Sequence, residues 1–436
     1  MKGLLTSSVL LLLSWSSSAR AQEIPGGDGG TSARVEELER RVAILSQAVE
    51  TERTGGGVVA PVPQQGTFGM APAASKAYQV KDGLSIGGYG ETLFSVLSQR
   101  LQDGTRAPAN NTADTLRAVL YVGFKFTDWL VFNSEFEFEH SGFSDEHPEG
   151  EAIVEFAYLD FLLSKGFNLR AGQILLPVGF LNELHEPPIF LGALRPRLED
   201  QGGMIPSTWH EIGFGLHGEL PANLSYKLYV INGMNAAGFS AEKTGSIGGG
   251  RQDGHQAIAN KPGFTGRLDW SFLPGALVGV SFYVGDSQQD RQATPLWTTL
   301  VEGHAEYRVR GFQARAVLAQ VTNSRSGVEA LDPSSDAATV GTQQLGGYVE
   351  AGYDVLTPLP SSRQALIPFV RYERFNLQRS VAPRATASLE NNQSIIALGA
   401  NYKPIPQVAI KADYDVNINY ALTGRNQFNV ALGYLF

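Results

Sequence analysis

From residue 84 to the C-terminus, apolar and polar residues alternate with a period of two, and this pattern restricts the chain to antiparallel sheet. In 116–126, Leu116, Ala118, Leu120, Val122, Phe124 and Phe126 alternate with Arg117, Val119, Tyr121, Gly123 and Lys125. In 131–139, Phe132, Phe136 and Phe138 alternate with Asn133, Glu135, Glu137 and Glu139. Such charges cannot face hydrocarbon cheaply, so one face is apolar and the other wet. A soluble sandwich also alternates, but with shorter strands. These segments approach the ~9–11 residues that cross a bilayer at a tilt.

Sixteen segments of this kind are expected, at 84–98, 113–126, 129–139, 151–163, 165–174, 209–219, 222–232, 261–271, 276–284, 297–308, 309–321, 344–354, 364–375, 391–402, 405–415 and 424–436. The phase of the fourth is ambiguous near Asp160. Tight turns at Thr127-Asp128, Ser164, Leu220-Pro221-Ala222, Phe272-Leu273-Pro274-Gly275 and Lys403-Pro404 alternate with long connections at 99–112, 140–150, 175–208, 232–260, 322–343 and 376–390. Short turns on one rim and long loops on the other define a transmembrane barrel. The expected fold is therefore all-β, a 16-stranded antiparallel transmembrane β-barrel over 81–436, carrying a short N-terminal coiled-coil helix.

The last segment is the most specific. Phe436 ends the chain, and stepping back by two gives Tyr434, Leu432, Val430 and Phe428, all apolar. An alternating final strand ending in Phe resembles the signal read by the barrel assembly machinery of the outer membrane. The N-terminus agrees. Lys2, an apolar run through 9–13 and Ala19-Arg20-Ala21 form an export signal over 1–21, with Gln22 as the expected mature start. The apolar run is too short for a spanning helix. Both features place the chain in the bacterial outer membrane, among its lipids.

Residues 22–33 are Gly-rich and expected to be disordered. Over 34–52, Val35, Leu38, Val42, Leu45 and Val49 form an a/d seam flanked by charges. Two heptads are marginal alone. The seam fits a small coiled coil in an oligomer held together elsewhere, or a solitary amphipathic helix. Residues 53–80 read as a Gly/Pro/Ala-rich linker.

Composition removes other classes. With no cysteine, there is no disulfide framework, thiolate metal site or cysteine nucleophile. A net charge of -9 argues against a nucleic-acid partner. Ser207, His210 and Glu211 are neighbours in sequence, but successive strand residues point to opposite faces, so they make a poor hydrolase triad. His140, Asp145, Glu146, His147 and Glu149 read as a solvated acidic loop rather than a metal site, and Gly248-Gly249-Gly250 lacks the context of a phosphate loop. No enzymatic activity, cofactor or metal is expected.

Three blocks carry a family resemblance. Leu169-Arg170-Ala171-Gly172-Gln173 followed by Leu176-Pro177-Val178-Gly179-Phe180 is one, Trp209-His210-Glu211-Ile212-Gly213 another, and Phe369-Val370-Arg371-Tyr372-Glu373 the third. Across 84–436 the chain resembles the phosphate-selective porin O and P family of outer-membrane porins. The resemblance implies a sixteen-stranded barrel, a homotrimer, a constriction loop after the fifth strand and a basic funnel for anions. The inward positions here are instead mixed and net acidic: Arg117, Lys125, Arg170, Arg315 and Arg371 stand among Glu91, Glu135, Glu137, Glu139, Glu350, Glu373 and Asp413.

Segment 175–208 is expected to fold into the lumen, because Phe180, Leu181, Ile189, Phe190, Leu191 and Leu194 are too apolar for a surface loop. Arg195 and Arg197 are the leading constriction candidates, with Arg170, Arg117, Lys125, Arg315 and Arg371 on the wall. The competing reading is that Arg195 and Arg197 pair with carboxylates and only anchor the loop. The expected function is a water-filled channel for passive diffusion of small polar or anionic solutes, phosphate-like ones among them. The alternative is an adhesion or scaffold barrel without transport.

Overall fold

The structure is a computed structural model that describes residues 65–141, 150–200, 202–241, 246–359 and 364–436. The export signal, the 22–33 stretch, the 35–49 seam and the 142–149 acidic loop lie outside the described residues. Sixteen strands run in chain order: β1 (Gly83–Leu97), β2 (Thr112–Thr127), β3 (Leu130–Glu139), β4 (Glu151–Ser164), β5 (Phe167–Leu175), β6 (His210–Leu220), β7 (Leu224–Asn232), β8 (Pro262–Leu273), β9 (Ala276–Asp286), β10 (Trp297–Val309), β11 (Phe312–Asn323), β12 (Gln343–Tyr353), β13 (Ala365–Ser380), β14 (Asn392–Ile405), β15 (Val408–Asn419) and β16 (Gln427–Leu435). Each pairs antiparallel with its sequence neighbours, and β1 closes on β16. No helix among the described residues is long and apolar enough to cross a membrane; the strands do the crossing.

The inside-out pattern is explicit. Leu120, Phe124, Phe136, Phe138, Ile212, Phe214, Leu318, Val349, Leu398 and Leu432 are exposed on the outer face, while Glu135, Asp160, Glu302, Glu373 and Lys411 are buried inside. A water-soluble fold would reverse this arrangement, so the outer belt is a hydrocarbon-facing surface. Trp129, Phe167, Trp270, Phe272, Phe312 and Phe436 are exposed at the short-turn ends of their strands, where aromatic girdles sit.

The final residue closes the barrel. The Phe436 amide donates to the Gly88 carbonyl (2.9 Å) and the Gly88 amide to the Phe436 carbonyl (3.1 Å). The glycines of β1 make room for the C-terminal rings. A Cβ at Gly90 would stand 2.4 Å from the Tyr434 hydroxyl, and one at Gly88 2.7 Å from the Phe436 ring.

Strand phase is interrupted in β4. Glu135 pairs with Phe156 and Phe136 with Val154, leaving Glu155 without a partner on β3. This β-bulge turns Glu155 and Phe156 both inward, each fully buried. The phase ambiguity of this segment comes from here, five residues before Asp160. β13 is also longer than its apolar alternation indicates, running on to Ser380.

Candidate functional site: a filled lumen

Among the described residues, two segments stand out inside the barrel. The first is 65–78, expected from composition to be linker. Its alanines suit close packing: Ala77 lies where a Cβ at Gly123 of the β2 wall would come within 2.3 Å of it. Ala73 and Ala74 donate their amides to Glu186 Oε1, each at 2.9 Å, and Asn133 of β3 donates to the Ala74 carbonyl at 2.8 Å. The Tyr78 hydroxyl donates to Asp160 (2.6 Å) and receives from Arg170 (3.1 Å). Burial pushes the Glu186 carboxyl up to about 7, against the opposing pull of those two amides.

The second is the connection between β5 and β6. Asn182 closes its neck by donating to the carbonyls of Leu176 (2.7 Å) and Trp209 (2.9 Å) and accepting from the Trp209 amide (2.8 Å). Beyond that neck the segment reaches wall strands far from its own. The Ala193 amide donates to Asp413 of β15 (2.5 Å), and the Leu198 amide to Glu373 of β13 (2.9 Å). Lys411 of β15 donates to the Gly192 carbonyl (2.8 Å), and Arg267 of β8 to the Gly179 carbonyl (2.6 Å). Glu199 gathers three donors: the amides of Phe180 (2.5 Å) and Leu181 (3.1 Å) and the Tyr348 hydroxyl of β12 (2.7 Å).

Aromatic rings of this segment cover wall cations. The Arg315 guanidinium lies 4.0 Å from the centre of the Phe180 ring, and Lys411 Nζ 3.6 Å from that of Phe190. Phe180, Phe190, Leu198 and Trp209 are fully buried, so the apolar residues of this stretch form a core against the inner wall.

The candidate wall cations are each matched with acid. Arg117 pairs with Glu137 (3.1 Å), Glu139 (3.3 Å) and Glu91 (3.6 Å). Lys125 meets Asp128 at 3.2 Å in the β2–β3 turn, and Arg170 meets Asp160 at 2.8 Å. Arg315 lies 3.1 Å from both Glu306 and Glu350, and Arg371 2.9 Å from Glu373. Charges paired this closely cancel over a few ångströms, so the formal count of wall charges says little about the field in the lumen.

The two loop arginines separate. Arg195 is buried and donates to the Ser207 hydroxyl and, at 3.4 Å, to the His185 carbonyl. Arg197 keeps its side chain 47% exposed, with Asp200 at 3.4 Å. An exposed pair of that length holds weakly. Of the sequence neighbours Ser207, His210 and Glu211, each has its own partners. Ser207 receives from Arg195, His210 Nδ1 faces the Thr208 carbonyl at 2.7 Å, and Glu211 accepts from Asn232 (2.5 Å) and the Gln252 amide (2.9 Å).

Asn182, Glu183, His185, Glu186 and Glu199, which anchor both segments, are absent from the sequence-derived candidates. The available signal is polar residues inside an otherwise apolar loop. Once such a loop is buried, its charges must find partners. Glu183, for instance, takes Lys227 of β7 at 2.5 Å.

The closed barrel, the apolar outer belt and the polar, segment-filled interior define an outer-membrane β-barrel of the porin fold. No protein-family model matches the chain. It is 36% identical over 363 residues to an uncharacterized protein of Aquifex aeolicus (strain VF5), covering 82% of this chain and 81% of that one, and it belongs to that protein's family. Among solved structures, Salmonella typhi OmpF in complex with daunomycin superposes with a TM-score of 0.56 at 16% identity, over 82% of this chain and 98% of that one. A loop L8 deletion mutant of OmpT, an outer membrane protein of Vibrio cholerae, gives 0.50 at 12% identity, over 82% and 100%. At these identities the likeness speaks for the fold.

Proposed function

We propose that the chain is an outer-membrane channel for passive diffusion of small polar or anionic solutes, phosphate-like ones among them, narrowed by segment 175–208. The carrying observation is the direction of the charges. Wall residues such as Glu135, Arg170, Arg315, Glu373 and Lys411 turn inward rather than toward lipid, as in the wall of a pore, and the inward segments cover them. Diffusion without catalysis accounts for this lining. The near-complete burial of these residues supports a narrow channel of small conductance rather than a wide one.

Anion preference in this reading is local. The paired wall arginines contribute little, Arg195 serves as a loop anchor, and Arg197 is the loop cation with access to solvent. The resemblance to phosphate-selective porins supports the anionic substrate class, and with the 35–49 seam it supports a homotrimer inserted by the barrel assembly machinery. The test is single-channel recording in planar bilayers with reversal potential in a salt gradient. Small, anion-shifted steps are expected, with the shift fading at high salt. The depth to which the lumen is filled favours, as second reading, a scaffold barrel closed to solutes. A purified, folded protein that stays silent would decide for that reading.

A further inference from the structure

The β4 bulge delivers Glu155 to a fully buried place where its hydrogen-bond partner is another carboxyl, that of Glu137. Among the described residues no N–H or hydroxyl donates to either carboxylate oxygen of Glu155 or to Oε2 of Glu135, although both side chains are fully buried. An ionised carboxylate stripped of water and of donors is among the most costly groups to bury. Of the cations nearby, Arg117 pairs with Glu91, Glu137 and Glu139, while Arg195 donates to the Ser207 hydroxyl and attracts Glu135 and Glu155 through space.

His185 of the inward segment completes the group. Its Nδ1 lies 2.7 Å from the Asn182 carbonyl, so that nitrogen carries a proton and donates it. Its Nε2 is then turned toward the two carboxylates, 3.2 Å from Glu135 Oε1 and 3.7 Å from Glu155 Oε2. One ligand atom from each residue lies within 4.8 Å of the others. A neutral imidazole facing two ionised carboxylates would oppose lone pairs, so the group takes up either a proton or a cation between them. A tetrahedral zinc with bonds near 2.0–2.1 Å holds its ligand atoms roughly 3.3 Å apart. The two observed separations bracket that value within a few tenths of an ångström. A metal-bound imidazole usually donates its other nitrogen to a carbonyl, as His185 does to Asn182.

We propose that Glu135, Glu155 and His185 form a site for a divalent transition cation, zinc or manganese by class, that pins the inward segment to the β3–β4 wall. One nitrogen and two carboxylate donors suit these ions; an all-oxygen set would suit calcium or magnesium, and thiolates softer metals. The bulge supports a built site, because an unbulged β4 would turn Glu155 toward lipid. The assignment does not depend on whether the barrel conducts.

The full chain, folded in detergent and treated with chelator, is titrated with zinc and separately with manganese, and bound metal is measured by elemental analysis after desalting. About one equivalent is expected. Glu155→Gln and His185→Asn should each weaken binding more than 100-fold, beyond the ~10–100-fold that loss of an outer partner costs. Heat-modifiable gel mobility confirms that the variants are folded. Should either misfold, the wild-type cobalt derivative gives the answer by its d–d absorption and by nitrogen ligation of a histidine. The proposal is overturned if the wild type binds under a tenth of an equivalent of either ion. It is equally overturned if folded variants bind as tightly as the wild type, or if nitrogen NMR shows His185 doubly protonated in the zinc-saturated protein.

Discussion

Removing the Glu199 carboxylate should release the inward segment while leaving the barrel intact. Glu199 is 2% exposed and accepts from the Phe180 amide, the Leu181 amide and the Tyr348 hydroxyl. In Glu199→Ala, two buried amides lose their acceptor, at ~1–3 kcal/mol each, and the tyrosine loses a charge-assisted bond of comparable size. Burial pushes the Glu199 carboxyl above its ordinary value, and deleting it recovers part of that desolvation cost. A net loss of about 2–4 kcal/mol in docking follows. At tenfold per 1.4 kcal/mol, the undocked population rises roughly 30- to 800-fold. The strand ladders do not include Glu199, so heat-modifiable mobility should be unchanged. The assay is limited trypsinolysis after Arg197 in detergent-folded protein. When reclosing is fast, the cleavage rate follows the undocked population. Tyr348→Phe, which removes one donor at about 1 kcal/mol, should accelerate cleavage only about fivefold. Cleavage of Glu199→Ala at the wild-type rate would refute the claim that this carboxylate holds the segment.

Gly90→Leu should obstruct barrel closure, because its Cβ would meet the Tyr434 hydroxyl at 2.4 Å; Tyr434→Ala should restore heat-modifiable protein, and an unaffected single variant counts against the close packing. Deleting Phe436 removes the paired bonds to Gly88 and should leave unfolded protein in the periplasm; membrane fractionation showing normal insertion would dispose of the terminal-strand reading. Arg197→Ala should move the reversal potential toward cations at low salt and lose that effect near 1 M salt, where the screening length is ~3 Å. Arg195→Ala should loosen the segment to trypsin instead, and an unchanged potential in Arg197→Ala places selectivity elsewhere. For the proposed homotrimer, held mainly by its barrels, replacing Leu38 and Leu45 with Asp should leave the oligomer intact; native mass measurement in detergent showing a monomer would reverse that expectation.

The barrel was legible because its signal is local. Alternation is a property of neighbouring residues, and each strand repeats it: β10 begins at Trp297 and β6 ends at Leu220, both within a residue of where the pattern places them. The terminal seam of Phe428, Val430, Leu432, Tyr434 and Phe436 is likewise local, and its exposure on the outer face follows from period two alone. The ambiguous phase of β4 is instructive, since one extra residue at Glu155 inverts the pattern and no composition rule marks where a bulge falls.

The lumen is different in kind. Glu199 meets Tyr348 across 149 positions, Ala193 meets Asp413 across 220, and His185 meets Glu135 across 50. Residues 65–78 looked like linker because small residues are equally suited to a flexible chain and to close packing against a glycine-bearing wall. For Arg117, Arg170, Arg315 and Arg371 the sequence gives a charge but not its partners, which the closed sheet supplies. The sequence by itself determined a sheet that must close and must face lipid, since alternation and strand length act through nearest neighbours. Only the tertiary structure decided what fills that sheet and which charges remain free. Those depend on which distant groups a closed barrel brings within a few ångströms, where pairing and desolvation outweigh every local preference.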